Sequence, residues 1–473
     1  MSDFKKLCSA VLVVFAVVVA SAVPGDVWAD EPERAIPGWP DRPEQDGKDL
    51  PAWFPKLLGL EFDGVYQAMP PFHSPYQGPN SLSFKNGEGQ DVTHTYGAYF
   101  GAQLAPRLQA YLDIGLFQGF GVSNGVGLGG YINGDVVRAG SSNLPKVPFL
   151  ARAYFRYFIP LSSETEKVER CMDQLPGDQP VGRVEIKFGK FALTDDFDQN
   201  RYANNNHTQF MNYDFLFNPA WDYAADTRGY SWGIVTSLFE PRWRLTFGVQ
   251  MEPNTQNGAY YDVNDLGAQV QELGYNLELT LKPNDAGTVI RFLSYLNEGR
   301  MGSYDAALAL GRATSSAPDI LLVEQLGGNK YGFGFNFEQP LADNGETGIF
   351  GRIGWNDGNH ETWAYTEADR HASIGAQLGG IRWKRPEDCL GVAYGVNGLS
   401  DPHKDYLQAG GIGMLLGDGN LNYGFEQALE IYYRIQACRL VQISPDFQFI
   451  QNPGYNRDRG PVAVYGLRLH VSY

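Results

Sequence analysis

The last nine residues, Tyr465 to Tyr473, alternate without interruption. Tyr465, Leu467, Leu469, Val471 and Tyr473 fall on one face, and Gly466, Arg468, His470 and Ser472 on the other. A strand of period two that ends the chain on an aromatic residue has one apolar and one polar side, so it separates two different environments. The same pattern recurs along the chain. Leu108, Ala110, Leu112, Ile114 and Leu116 oppose Gln109, Tyr111 and Asp113; Trp243, Leu245, Phe247, Val249 and Met251 oppose Arg244, Thr246 and Gln250. Tyr275, Leu277, Leu279 and Leu281 oppose Asn276, Glu278 and Thr280; Val441, Ile443, Phe447 and Phe449 oppose Gln442, Ser444, Asp446 and Gln448.

Sixteen such segments are predicted, at 59–69, 92–104, 107–116, 147–159, 181–193, 229–240, 242–252, 268–282, 287–298, 329–340, 346–356, 370–385, 389–399, 426–437, 440–451 and 461–473. Strands of about eleven residues, rising ~3.3 Å per residue and tilted near 40°, span roughly 28 Å, the height of an outer-membrane apolar band. Backbone in lipid must satisfy every hydrogen bond internally, and strands do so only in a closed barrel. The fold class expected is therefore all-β: a 16-stranded antiparallel transmembrane barrel. Arg or Lys facing mid-depth lipid costs ~2–4 kcal/mol, so the polar faces are expected to point inward and to make a wet lumen. A periplasmic β-sandwich or propeller is the alternative fold.

The connections favour the barrel. Turns near Pro106, Pro241, Pro283 to Gly287, Asn344-Gly345, Pro386-Glu387 and Cys438-Arg439 are short, whereas 70–91, 117–146, 194–228, 253–267, 299–328, 357–369, 400–425 and 452–460 are mostly long. The two classes alternate, except that 160–180 is long on the short-turn side. An even strand number leaves both termini on that side, expected to be the periplasm.

Lys5 and Lys6, an apolar run from Leu7 to Val23 and Val27-Trp28-Ala29 read as a secretory signal cut after Ala29. The run is shorter than the ~20 residues of a spanning helix, which disfavours an uncleaved anchor. Residues 30–57 are rich in Pro and charge and read as a periplasmic lead-in, and 58–473 as the barrel domain. With a signal present, the setting is the outer membrane of a Gram-negative-type bacterium. The net charge of −17 speaks against nucleic acid as a partner. Mature Cys171, Cys389 and Cys438 show no metal or redox spacing. The topology puts Cys389 and Cys438 at the periplasmic ends of neighbouring strands, where a disulfide between them is an expectation.

Several loops and loop-to-strand junctions carry a family resemblance: PFHSPYQGPNSL (71–82), QGFGVSNGVGLGGYINGDVVRAG (118–140), WDYAADTRGYSWG (221–233), HKDYLQAGGIGMLLGDGNLNYGFEQALEIYY (403–433) and PDFQFIQNPGYNRDRGPVAVYGLRLH (445–470). In these the chain resembles the carbohydrate-selective porins of the OprB-like family. The resemblance implies external loops folded into the lumen and passive diffusion of sugars. Glycine-rich 117–146 fits close packing against a wall, because glycine brings no Cβ. Tyr406 to Leu416 is expected to plug part of the mouth.

Sugar passage requires polar groups that replace lost hydration and aromatic faces for the ring. Arg152 and Arg156, and likewise Glu430 and Arg434, lie four apart on a strand and so share a face. Asp222, Tyr223, Asp226 and Arg228, and Tyr455, Asn456, Arg457, Asp458 and Arg459, are loop candidates for the constriction. Arginine presents a planar fork to vicinal hydroxyls and carboxylates accept from them. The alternative is that these charges pair with each other and staple loops to the wall. The seven histidines have no spacing of a catalytic triad or metal site. No enzyme activity and no cofactor is therefore expected. Only residues 30–56 precede the first strand, too few for the plug of an energised transporter. The sequence thus leaves a sugar porin, a general diffusion porin or a non-conducting barrel. Expected partners are small sugars, outer-membrane lipid and the barrel-assembly machinery acting on the strand that ends at Tyr473. A homotrimer is left open.

Overall fold

The computed structural model describes residues 53–136 and 146–473. The signal segment 1–29, and residues 30–52 of the lead-in, lie outside the described residues. Sixteen antiparallel strands close into one barrel. They are β1 (Lys56–Ala68), β2 (Gln90–Ala105), β3 (Leu108–Gln118), β4 (Phe149–Pro160), β7 (Arg183–Phe191), β8 (Ser231–Glu240), β9 (Trp243–Met251) and β10 (Leu273–Leu281), then β11 (Val289–Met301), β12 (Gln325–Ala342), β13 (Thr347–Asn356), β14 (Arg370–Gly379), β15 (Cys389–Gly398), β16 (Glu426–Cys438), β17 (Val441–Gln451) and β18 (Val462–Ser472). Between β4 and β7 the chain inserts a small hairpin, β5 (Thr165–Val168) with β6 (Gly177–Pro180). Closure joins β1 to β18 in the register Glu61↔Ser472 through Ala68↔Tyr465. Every predicted segment is a wall strand.

One predicted segment begins late and another ends early, for local reasons. Before β10 the residues Leu266–Gln269 form a helical turn, because the Asp265 carboxylate accepts from the backbone N–H of Gly267 and Ala268 at 3.1 and 3.2 Å. After β14 the chain turns helically over Gly380–Trp383 and places Lys384 at φ +64°, just ahead of Pro386. There the Trp383 indole donates to the Tyr433 hydroxyl at 2.7 Å.

The outer face carries the apolar half of each strand: Leu60, Leu112, Phe155, Ile234, Phe247, Phe292, Phe333 and Leu467 are all exposed. In water such a belt would be unsustainable; in lipid it is what a barrel needs. Trp243, Trp383 and Tyr433 sit toward the short-turn end and Trp232, Trp355 and Tyr331 toward the other, as in the aromatic girdles of outer-membrane barrels.

The cysteines correct one expectation. Cys389 and Cys438 are not joined to each other. Cys389 faces Arg434 across the β15–β16 pair, while Cys438 lies four residues further along, opposite Val441. Four residues of strand are ~13 Å, far beyond the ~4.4–6.8 Å between Cα atoms that a disulfide spans.

Candidate functional site

Inward residues of the wall meet two different fates, decided by the segment 192–230 between β7 and β8. It does not stand outside as a loop but folds into the barrel. Its backbone groups need partners once out of water, and the far wall supplies them. Asp198 N donates to Glu278 at 2.7 Å, Arg201 N to Glu338 at 2.8 Å, and Met211 N and Asn212 N to the two oxygens of Glu430 at 2.6 and 3.0 Å. Arg352, wholly buried, donates to the carbonyls of Phe215, Ala203 and Asp198 and pairs with the Asp198 carboxylate at 3.0 Å. Arg468 donates to the carbonyls of Asn206 and Gln209. On this side the polar faces are therefore buried by protein rather than wet.

The glycine-rich loop closes over the same region. Gly127 has φ +95°, and a Cβ there would lie 1.8 Å from the Leu82 nitrogen, so no other residue fits. Its N–H donates to the Leu415 carbonyl, and Gly129 N donates to Glu426. Leu415 and Leu416 are buried and their N–H groups donate to Glu367, which ties the end of the run Tyr406 to Leu416 to the connection 357–369. In the adjoining helix Asp401–Gln408, His403 stacks on Tyr304 at 4.4 Å and pairs with Asp369 at 3.0 Å. Burial alone would lower the pKa of this imidazole, but Asp369 and Glu367 carry it up to about 9.

On β4 the wall is less completely covered, although Asp113, Glu185, Lys187, Ser237, Thr246 and Gln250 of β3 and β7 to β9 are buried. The side chains of Arg152, Arg156, Asp195, Asp196 and Asp173 keep 15, 14, 21, 16 and 33 % exposure, against 0 and 4 % for the Arg352–Asp198 pair across the lumen. Arg152 bridges Asp195 at 2.6 Å, Asp113 at 3.2 Å and Asp173 at 3.6 Å. Arg156 donates both arms of its fork to Glu185, at 2.6 and 2.9 Å, and a third bond to Gln174 at 2.7 Å. Lys187 bridges Asp195 and Asp196 at 3.3 and 2.9 Å. Burial would raise the Asp195 pKa, yet Arg152 and Lys187 hold it down at about 2. Each cation also lies over a ring: Arg152 over Tyr230 at 5.3 Å, Arg156 over Phe158 at 4.9 Å, Lys187 over Tyr154 at 4.6 Å, Arg183 over Phe239 at 3.9 Å. Cations and carboxylates are nearly matched, so the arc is polar without a strong net charge.

The exceptional connection 161–182 reaches this arc from the short-turn end. Leu175 is buried and its N–H donates to the Tyr111 hydroxyl at 3.1 Å, while Asp173 and Gln174 are the partners of Arg152 and Arg156 named above. The arc is thus narrowed from both ends.

Among the residues singled out from sequence, Arg152 and Arg156 stand on this partly exposed arc. Arg228 lies near it, with its guanidinium over Phe149 at 4.6 Å. Asp222 is buried, paired with Lys330 at 3.3 Å and accepting from Trp363 N and Ala364 N; burial outweighs these partners and raises its pKa. Tyr223 bonds the Tyr213 hydroxyl at 2.6 Å and stacks on Tyr365. Asp226 accepts from Arg228 N and Tyr230 N and faces Lys190 at 3.5 Å. Glu430 holds the inserted segment, and Arg434 points toward the Thr208 carbonyl at 3.5 Å. Tyr455 is fully buried and donates to the Glu367 carbonyl, and Asn456 bonds Tyr76 and Asp418. Arg457 is exposed at the rim and its N–H donates to the Asn422 carbonyl. Asp458 accepts from Tyr76 and Asn422, and Arg459 donates to the Leu82 and Tyr76 carbonyls. Sequence reasoning missed Glu185, Lys187, Asp195 and Asp173. The first two were legible as inward positions of the alternating RVEIK run; Asp173 left no signal beyond the unusual length of its connection.

The sequence pattern of the carbohydrate-selective porins, OprB family, matches residues 108–473. The chain belongs to that family. It is an outer-membrane diffusion channel for carbohydrates, and its barrel agrees. OprB of Pseudomonas putida, solved at high pH, superposes with a TM-score of 0.64 over 89% of this chain and 94% of that one, at 14% identity, a likeness of fold alone. The channel DcaP of Acinetobacter baumannii superposes over 89% of this chain and 97% of its own, at 10% identity and a TM-score of 0.46, too loosely to bear on this porin. No curated protein matches it by sequence.

Proposed function

We propose that this porin passes small neutral sugars by passive diffusion past Arg152 and Arg156 of β4, along a lumen bordered by the inserted segment 192–230 and the connection 161–182. The observation that carries this reading is the partly exposed pair Arg152 and Arg156, each seated on an aromatic face and flanked by carboxylates, with the buried Lys187 beside them. A sugar needs donors and acceptors alternating along its path, and here guanidinium forks and carboxylates stand side by side. The near balance of charge suits a neutral solute over an ion. Weak, repeated binding lets the solute leave as readily as it enters. Of the residues singled out from sequence, Arg152, Arg156 and Arg228 are proposed to meet solute. Asp222, Tyr223, Asp226, Glu430, Tyr455 and Arg459 are proposed to hold the loops that shape the path. The role is transport alone, with no covalent step.

The arrangement in the membrane forms part of the proposal. Residues 1–29 serve as a signal and 30–57 as a periplasmic lead-in; both chain ends face the periplasm and the long loops face outward. The exposed apolar belt contacts lipid, and the terminal strand ending at Tyr473 engages the assembly machinery. Liposome swelling with sugars, amino acids and salts of matched size tests the solute preference. Sugars are expected to enter fastest, and equal rates for all would leave a general diffusion porin instead.

A further inference from the structure

Where the barrel closes, β1 and β18 bring Asp63 directly opposite His470, with Glu61 two residues along the same inward face. The inserted segment delivers His207 to this seam, and the glycine-rich loop delivers Asp135. His207 Nδ1 lies 2.6 Å from Glu61 Oε1 and its Nε2 lies 2.9 Å from Asp135 Oδ1. His470 Nδ1 lies 3.8 Å from the same Glu61 oxygen and 3.3 Å from Asp63 Oδ1. We propose that Glu61, His207 and His470 bind a divalent transition-metal ion of the zinc class, which pins the inserted segment to the closing seam.

Three features of the site support this. The donor atoms of the three residues lie within 4.8 Å of one another. Ligands of tetrahedral zinc, at ~2.0–2.2 Å from the ion, are about 3.4 Å apart, so the 2.6 and 3.8 Å separations bracket the spacing required. The site is also short of positive charge. Glu61, Asp63 and Asp135 are all buried, and among the described residues no Lys or Arg forms an ion pair with any of them. Arg468, the inward cation of β18, directs its two terminal nitrogens to the Asn206 and Gln209 carbonyls and Ser444, and its charge reaches Asp63 without forming an ion pair. Finally, no well-formed hydrogen bond reaches either oxygen of the fully buried Asp63 or the Nδ1 of His470, and the nearest polar neighbours of Asp63 are His470 and the Asp135 carboxylate. Buried carboxylates in that state are costly, and a dication among them offsets the cost. Neutral histidine and carboxylate are the ligands zinc prefers.

The test uses the full mature porin in detergent, stripped with chelator and titrated with Zn²⁺ alone, with bound metal counted after gel filtration. One ion per barrel is expected, and His470→Ala or His207→Gln should weaken binding at least about tenfold, since even outer-sphere changes at metal sites cost that much. A His73→Ala/His360→Ala variant, altered away from the seam, should bind as the wild type does. Retention of the heat-modifiable gel shift shows that each variant is folded. Co²⁺ provides a readout that needs no variant: a tetrahedral nitrogen–oxygen site gives a visible absorption band on titration to one equivalent. Absence of that band and of stoichiometric zinc in the wild type, or zinc binding undiminished by both seam variants, would overturn the proposal. The cluster would then be a charged His207 held between Glu61 and Asp135.

Discussion

The two halves of the barrel wall are built by one rule and put to different use. Both send a polar side chain inward at every second residue. From β10 round to β1 those side chains are buried: Arg352 and Asp198 meet with essentially no exposure, and Glu430, Glu278 and Arg468 satisfy backbone groups of the inserted segment. On the opposite wall Arg152 and Arg156 of β4 pair with carboxylates and keep contact with solvent, although their neighbours Asp113, Glu185 and Lys187 are buried. An ion pair of the first kind holds a structure together because breaking it strands a charge in a dry place. One of the second kind can exchange its partner for a solute hydroxyl, because water and neighbouring charges stand ready to replace what is lost. Polarity of the inner face therefore does not tell a wet wall from a dry one; the company it keeps does.

The largest expected effect lies in the dry half. Arg352→Met should destabilise the barrel by ~3–5 kcal/mol, because Asp198 loses its cation and three carbonyls lose their donor. Urea unfolding in lipid vesicles, followed by the fluorescence of buried Trp221 and Trp363, measures it. A loss under ~1 kcal/mol would erase the distinction between the halves. In the partly exposed half the effect should fall on transport. Arg152→Ala removes charged donors, each worth ~1.5–3 kcal/mol, so sugar block of the single-channel current should weaken about ten- to a hundredfold, with a smaller change in the urea midpoint than Arg352→Met gives. Arg152→Lys, which keeps the charge but not the fork, should fall between.

The smallest effect is a pH dependence of the mouth. Folding raises the His403 pKa from its ordinary 6.5 to about 9, so its contribution to stability is complete below pH 6.5 and fades as the pH rises through about 9. Protease cleavage within 400–425 should accordingly be severalfold faster at pH 9.5 than at pH 6. In His403→Gln the pH dependence should vanish, and an unchanged profile there would assign it to another group.

The strands were readable because lipid and lumen impose opposite demands on alternate residues, a constraint that acts locally and leaves its trace in every segment. Arg152 and Arg156 were readable as an inward pair for the same reason. Glu430 was equally readable as inward, yet whether it meets solute or the Met211 backbone depends on a segment more than two hundred residues away. Asp173 reaches Arg152 through a connection whose only sign was its length. The pairing of Cys389 with Cys438 failed on register, which a shift of four residues decides and which composition does not reveal.

Period-two alternation and the order of short and long connections determined by themselves that this is a sixteen-stranded barrel for a membrane, since each is a response to solvent that a strand makes alone. The tertiary structure decided how segment 192–230 fills the lumen and that Glu61, His207 and His470 come together. Those depend on one long segment folding inward to meet partners far away in sequence, and on its buried backbone groups finding donors and acceptors there.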